Sequence, residues 1–224
     1  MRTKKVFIYG AGGHGKVIAD MLLMARVAGF AGFVDDDDKN KGRTILGYRV
    51  LGGAAWLKEQ AAVADIEIAL GIGDNAARRV IAERCRAWGA VLRTTLHPSA
   101  VVARSAKLGA GTVVMAHATI NPDAELGEGV VVNTGAVVEH DVKAGNYVHL
   151  APNSTMGGAA SIGELSMLGT SAVILPGIAV GSRTVVGAGA IVVDTLPDNV
   201  IALGIPAKIT RHVPGTAQAG AMAK

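Results

Sequence analysis

Glu139, His140 and Asp141 stand side by side at the end of the run AVVEHD, directly after three small or apolar residues. An imidazole that titrates near neutrality can take a proton from an attacking nucleophile. A carboxylate on its other ring nitrogen would fix the tautomer and stabilise the imidazolium that forms. The bland alternative is three solvated polar residues at a bend of the chain. A second candidate lies near the N-terminus, where GAGGHG places Gly10, Gly12 and Gly15 in the G-x-G-x-x-G pattern, followed by Asp35 and Asp36. Glycines between a strand and a helix let a pyrophosphate approach the helix N-terminus, and an acid about twenty residues further on suits a ribose or base.

The elements that must position these groups fall into two rhythms. Up to about residue 93, strand-like KKVFIY, FAGFV, IEIALGI and AVLRTTL alternate with helix-like GKVIADMLLMARVAG, GGAAWLKEQAA and NAARRVIAERCRAWG. That alternation predicts βαβ units and a small parallel sheet. From Ala100 the chain divides into sixteen consecutive hexads, AVVARS to AIVVDT, with an aliphatic residue at the third position of every one and Gly at the fourth of eight. Aliphatics six apart do not share a helix face. They instead predict a hexapeptide β-helix, a triangular prism of eighteen residues per coil with the third residue pointing inward and the small fourth residue allowing the turn. Coils then stack at about 4.8 Å, so each backbone group finds a partner above or below. The expected fold is α/β plus all-β: a small Rossmann-like domain over 1–96, a β-helix over 97–212, and a disordered tail over 213–224.

Composition narrows the function. A net charge of +4 without a Lys/Arg block or interleaved aromatics argues against nucleic-acid binding. Asp20 and Arg26 interrupt the most apolar window too early for a membrane span, and no secretory pattern opens the chain, so a cytoplasmic protein without membrane partners is expected. Cys85, the single cysteine, excludes an intrachain disulfide, and its helical context fits a buried structural thiol.

IYGAGGHGKV, FVDD, LGIGDN, LHPSA, NTGAVVEHD and the final ALGIPAKI, in that order, resemble the left-handed β-helix acyltransferases. Within these, the set is similar to the bacterial sugar acetyltransferases that include UDP-4-amino-sugar N-acetyltransferases, GDP-perosamine N-acetyltransferase and sialic acid O-acetyltransferase. The likeness covers roughly residues 4–211. It implies an acetyl-CoA-dependent enzyme that acetylates the amino group of a UDP- or GDP-linked amino sugar, with O-acetylation as the alternative. It also implies a homotrimer with sites between subunits. His140 is then the general base and Asp141 the residue that raises its basicity. Gly12, Gly13, His14, Asp35, Asp36 and Gly73 contact the nucleotide-sugar, and Asn133 lies near the acceptor amine. His149, Thr170 and Ala188 contact acetyl-CoA, with His149 on the thioester carbonyl and Ala188 where Gly is common. Direct attack on the thioester needs no Ser or Cys nucleophile. Because His149 follows His140 by half a coil, the two are expected to meet only across a subunit boundary.

Three rivals remain. A dinucleotide-dependent dehydrogenase would use the same glycine loop, but about ninety residues precede the repeats, too few for both halves of a full Rossmann sheet. A β-helix metalloenzyme would draw on His117, His140 and His149, whose separations of twenty-three and nine are not multiples of eighteen, so no metal is expected and His117 reads as structural. A non-catalytic sugar-nucleotide-binding protein is the third.

Overall fold

The computed structural model describes residues 4–213. Of the expected tail only Val213 is described, its amide donating to the Asn199 carbonyl at 2.8 Å, and 214–224 lie outside the described residues. The N-terminal part is a three-layer α/β unit. Strands β1 (Lys5–Tyr9), β2 (Phe30–Val34), β3 (Thr44–Ile45), β4 (Tyr48–Gly52), β5 (Ile66–Leu70) and β6 (Val91–Leu92) form one sheet in the order β3-β4-β2-β1-β5-β6. All neighbours in it are parallel except β3 and β4, a hairpin that the sequence pattern did not suggest. The helices α1 (Gly13–Met24), α2 (Ala54–Ala61) and α3 (Asn75–Ala87) cover it. Two apolar cores flank the sheet, one holding Ile8, Ile18, Leu22 and Phe33 and the other Phe7, Leu57, Ile68 and Ile81.

The loop between β1 and α1 shows why it is glycine-rich. A Cβ on Gly15 would lie 1.9 Å from the Gly10 carbonyl oxygen, so the helix could not approach the strand with any other residue there. Around Gly12 and Gly13 there is open space. Those two glycines leave the amides of the first helical turn accessible.

The second half is a three-faced parallel β-helix. The first face runs through 95–96, 113–114, 131–132, 149–150, 167–168 and 185–186, the second through 101–102 to 191–192, and the third through 107–108 to 179–180. Between repeats the register is a constant eighteen residues, as in Val113 with Val131 and His149 with Met167. Third-position residues Val114, Ile120, Leu126, Val132 and onward fill the axis, together with the small first-position residues Ala118, Ala124 and Ala136. Each fully buried aliphatic side chain contributes roughly 1.5–3 kcal/mol. Since each coil touches only its neighbours, stability accumulates coil by coil.

Two expectations change here. The left-handed backbone at the corners falls on the sixth hexad position, as at His117 (φ 58°), Asp141 (φ 59°) and Asn153 (φ 57°). The fourth-position glycines serve a different need: a Cβ on Gly145 would sit 2.5 Å from the Glu164 amide of the next coil. They permit coils to stack closely at the edges. The single strand predicted over 90–96 also serves two sheets, Val91–Leu92 closing the N-terminal sheet and Thr95–Leu96 opening the prism one face before Ala100.

The N-terminal unit sits on the first face. Val113, Met115 and Val131 pack into the same core as Ile18 and Leu22 of α1. His149 is the next outward residue along that face and is half-buried at the seam with the N-terminal unit.

Candidate active site

His140 occupies the turn between the second and third faces, with its side chain 62% exposed. Its Nδ1 lies 2.8 Å from Asp141 Oδ2. That hydrogen bond, reinforced by the charges of Asp141 and Glu139, raises the imidazole pKa above its ordinary value. Glu139 is in turn held by Asn121 one coil away, whose Nδ2 donates to Glu139 Oε2 at 2.9 Å. The trio is thus ordered: one acid orients the ring, and the other is tied back to the prism. On the following coil Gly158 stands beside the ring, where a Cβ would come within 2.6 Å of Nε2. Without it, Nε2 is left clear to receive a proton.

A second cluster forms at the seam between the N-terminal unit and the first face. The His149 and His14 rings lie 6.3 Å apart, centroid to centroid. Asn133 Oδ1 accepts from the Thr134 amide at 2.8 Å, which turns Asn133 Nδ2 toward His149 Nε2 at 3.0 Å. Nε2 is therefore an acceptor and the proton resides on Nδ1. Burial, and after it the Arg78 charge, lowers the His149 pKa to about 4. Burial, the neighbouring His149 and Arg78 lower that of His14 to about 4. Both rings are neutral at pH 7. As the chain stands, His149 Nε2 is occupied by Asn133 and does not project a proton toward a thioester. Gly12, Gly13 and Gly73 border this seam, and nothing lies within 4 Å of the Cβ position of any of them.

The two aspartates after β2 bond to the protein's own donors, and Asp36, its side chain 46% exposed, also faces Arg84 at 3.9 Å. Asp35 accepts from the amides of Ala11 (2.6 Å) and Asp37 (2.8 Å), which ties the glycine loop to the end of β2. Asp36 accepts from Tyr9 Oη at 2.8 Å and from the Ala54 amide at the start of α2 at 2.7 Å. Asp36 also borders a hollow of about 450 Å³ with Leu51, Gly53 and Trp56. Thr170 and Ala188 are both exposed and stack one coil apart on the turn between the first and second faces. The Thr170 carbonyl accepts from the Gly189 amide.

One chain therefore gathers Gly12, Gly13, His14, Gly73, Asn133 and His149, and keeps the His140–Asp141 pair elsewhere. The edge carrying His140 is the one edge that does not border the first face, so the prism itself separates His140 from His149. Sequence reasoning missed what joins the two units. Asn75 Nδ2 donates to the Leu165 and Ser166 carbonyls. Arg86 pairs with Glu128, which also accepts from Tyr147 Oη. Arg78 is wholly buried in the joint. Arginines along an amphipathic helix ordinarily face solvent, and nothing in the helix pattern distinguished this one. Among the described residues no group of three His, Cys, Asp or Glu side chains converges as a metal site would require. Cys85 is buried in the N-terminal core, as its helical context suggested. No helix of the described residues is long and apolar enough to cross a membrane.

Comparison with known proteins agrees with this architecture. Residues 5–85 match the family model described as PglD N-terminal domain. UDP-N-acetylbacillosamine N-acetyltransferase of Bacillus subtilis (strain 168) is 38% identical over 121 residues, 50% of this chain and 52% of the relative, so the match spans about half of that curated relative's length. A His-to-Asn variant of perosamine N-acetyltransferase from Caulobacter crescentus, solved in complex with CoA and GDP-perosamine, superposes with a TM-score of 0.87 at 39% identity, covering 92% of this chain and 97% of that one. The acetyltransferase domain of PglB from Neisseria gonorrhoeae FA1090, in complex with acetyl coenzyme A, gives 0.86 at 37%, covering 92% and 99%. With glycine loop, eighteen-residue coils and His–Asp corner in one chain, and relatives of this identity over nearly its whole length, the chain belongs to the left-handed β-helix, hexapeptide-repeat bacterial sugar acetyltransferases.

Proposed function

We propose that the protein transfers acetyl from acetyl-CoA to the amino group of a nucleotide-linked amino sugar. The observation that carries this is the exposed His140, oriented by Asp141 and left open at Nε2 by Gly158. It is an imidazole arranged as a base on a surface where two substrates can meet. The relatives support the substrate class. One binds GDP-perosamine with CoA, and another is named for N-acetylation of a UDP-linked sugar.

In this scheme the sugar amine attacks the thioester carbonyl carbon, and a C–N bond replaces the C–S bond. His140 Nε2 takes the proton the amine loses, and the leaving CoA sulfur is protonated by the imidazolium. Asp141 keeps the proton on Nδ1 in the resting state and shares the positive charge when it forms. The open glycines and free first-turn amides of α1 suit the pyrophosphate. Asp35 and Asp36 shape the base and ribose end chiefly by holding the glycine loop and α2. Asn133 and His149 border the sugar, with His149 also close to the acetyl-CoA thioester, and Thr170 and Ala188 line the pantetheine path. Since one chain keeps His140 apart from His149, the complete site is assigned to the junction of neighbouring subunits in a homotrimer acting in the cytoplasm. The division into an N-terminal unit and a prism is kept, with Thr95–Leu96, assigned to 1–96 on the sequence, moved to the prism's first face.

The decisive experiment measures thiol release from acetyl-CoA over a panel of UDP- and GDP-linked amino sugars. Acetylation of at least one 4-amino sugar at a rate far above hydrolysis is expected. Transfer only to hydroxylated sugars would replace the amine reading with O-acetylation. Tight nucleotide-sugar binding with no CoA released would leave a binding protein.

A further inference from the structure

Arg78, on the face of α3 that meets the prism, has 0% exposure and no carboxylate partner among the described residues. Its Nε donates to the Gly129 carbonyl at 2.8 Å. Nη1 donates to the carbonyls of Ile72 and Gly73, both at 3.0 Å. Nη2 donates to Asn75 Oδ1 at 2.8 Å and to the carbonyls of Tyr147 at 2.9 Å and Val148 at 3.4 Å. Burial destabilises this cation, and the Asp74 charge at the start of α3 offsets that only in part, so that its pKa falls to about 10; well-packed apolar residues usually join two surfaces at no greater cost. Docking alone thus gives a poor account of this residue.

The acceptors point to another role. Ile72 and Gly73 belong to the loop that opens on the seam, whereas Tyr147 and Val148 immediately precede His149 on the prism. A single planar guanidinium bonds both. Because its donors lie in one rigid fork, it fixes the spacing between the two walls in a way that a flexible ammonium would not. The same charge lies near both His14 and His149, where, after burial, it favours their neutral, hydrogen-bonding forms.

We infer that Arg78 is a positioning residue for the nucleotide-sugar: its fork sets the gap between the Gly73 loop and the His149–Asn133 pair, and so governs how tightly that substrate is held without touching it. This rests on the acetyltransferase reading for the identity of the substrate. The test compares full-length wild type with Arg78→Lys, which keeps the charge and loses the fork, and with Arg78→Gln. Steady-state rates are measured against both substrates, and UDP and GDP binding is measured by calorimetry.

For Arg78→Lys, the nucleotide-sugar KM and the nucleoside diphosphate Kd should each rise about tenfold or more, with kcat and the acetyl-CoA KM within about twofold of wild type. A merely structural residue would lower the active fraction instead, so that apparent kcat falls while both KM values stay. That pattern, or an unchanged KM and Kd, overturns the inference. If neither Arg78 variant folds, Asn75→Ala removes one acceptor of the fork and should give the same split at about threefold, and wild-type values there overturn it. Wild type that binds a nucleoside diphosphate but transfers no acetyl would remove the enzymatic reading and leave the Kd comparison to judge Arg78. Wild type that binds neither nucleotide would overturn both.

Discussion

Two histidine sites in this molecule are tuned in opposite directions. At the prism edge, His140 is exposed and an acid neighbour raises its pKa. At the seam, His14 and His149 are enclosed with a buried arginine nearby, and both are lowered to about 4. The side chain is the same and the surroundings decide its work. In water beside a carboxylate, the imidazolium is welcome, and the ring can cycle through it. Away from water and beside a cation, the imidazolium is penalised, and the ring is confined to neutral hydrogen bonding. The edge is arranged for moving a proton, and the seam for holding still.

The largest test of that contrast is His140→Ala. Loss of the base should lower kcat by about 10²–10⁴-fold. The circular dichroism spectrum and melting temperature should stay close to wild type, since the ring is exposed. A variant retaining more than a tenth of wild-type turnover would show that the exposed imidazole is not the base.

Asp141→Asn probes the orientation. The base works only when neutral, so a raised pKa places the acid limb of the kcat profile above the ordinary histidine value. Removing the carboxylate should move that limb to lower pH and reduce the plateau by about tenfold or more, through the misdirected tautomer. An acid limb that stays in place would disconnect Asp141 from the titration. The backbone at residue 141 is left-handed, and asparagine tolerates that conformation, so the fold should survive the change.

The last expected effect concerns stability at the seam, where the sign is opposite. In the unfolded chain His14 and His149 titrate near 6.5, and in the folded protein near 4. Above pH 6.5 both states are neutral and nothing differs. Between pH 6.5 and 4 the unfolded chain gains protons that the folded protein refuses, and stability falls. At pH 5 the loss is about 2 kcal/mol per imidazole. Denaturant titrations at pH 7.5 and pH 5 should show this difference, and His14→Gln should remove about half of it. Equal slopes in wild type and His14→Gln would mean that the buried ring titrates normally.

What was legible along the chain was whatever repeats or punctuates. Sixteen aligned aliphatics specify the prism because every coil poses the same packing problem, and the glycine loop is explicit because a helix N-terminus so close to a strand admits little else. The adjacency of His140 and Asp141 was equally visible, since neighbours at a corner meet within their own turn. The splitting of 90–96 was not visible, because β propensity is the same on both sides of Arg93–Thr94 and only the pairing partners differ. The hairpin of β3 and β4 was missed for want of a strong turn pair: Leu46 and Gly47 both take positive φ, yet Leu is an unusual residue there.

By itself, then, the sequence determined the prism, the βαβ unit and the His–Asp corner, each set by contacts that recur or lie close along the chain. Only the tertiary structure decided that His14 and His149 would share a half-buried seam, that Asn133 would fix the His149 tautomer, and that Arg78 would lie between two carbonyl-lined walls. These depend on where α3 docks against Tyr147 and Val148, some seventy residues away in the chain. Burial and long-range carbonyl partners set the charge state of a side chain, and neither is written in its neighbours.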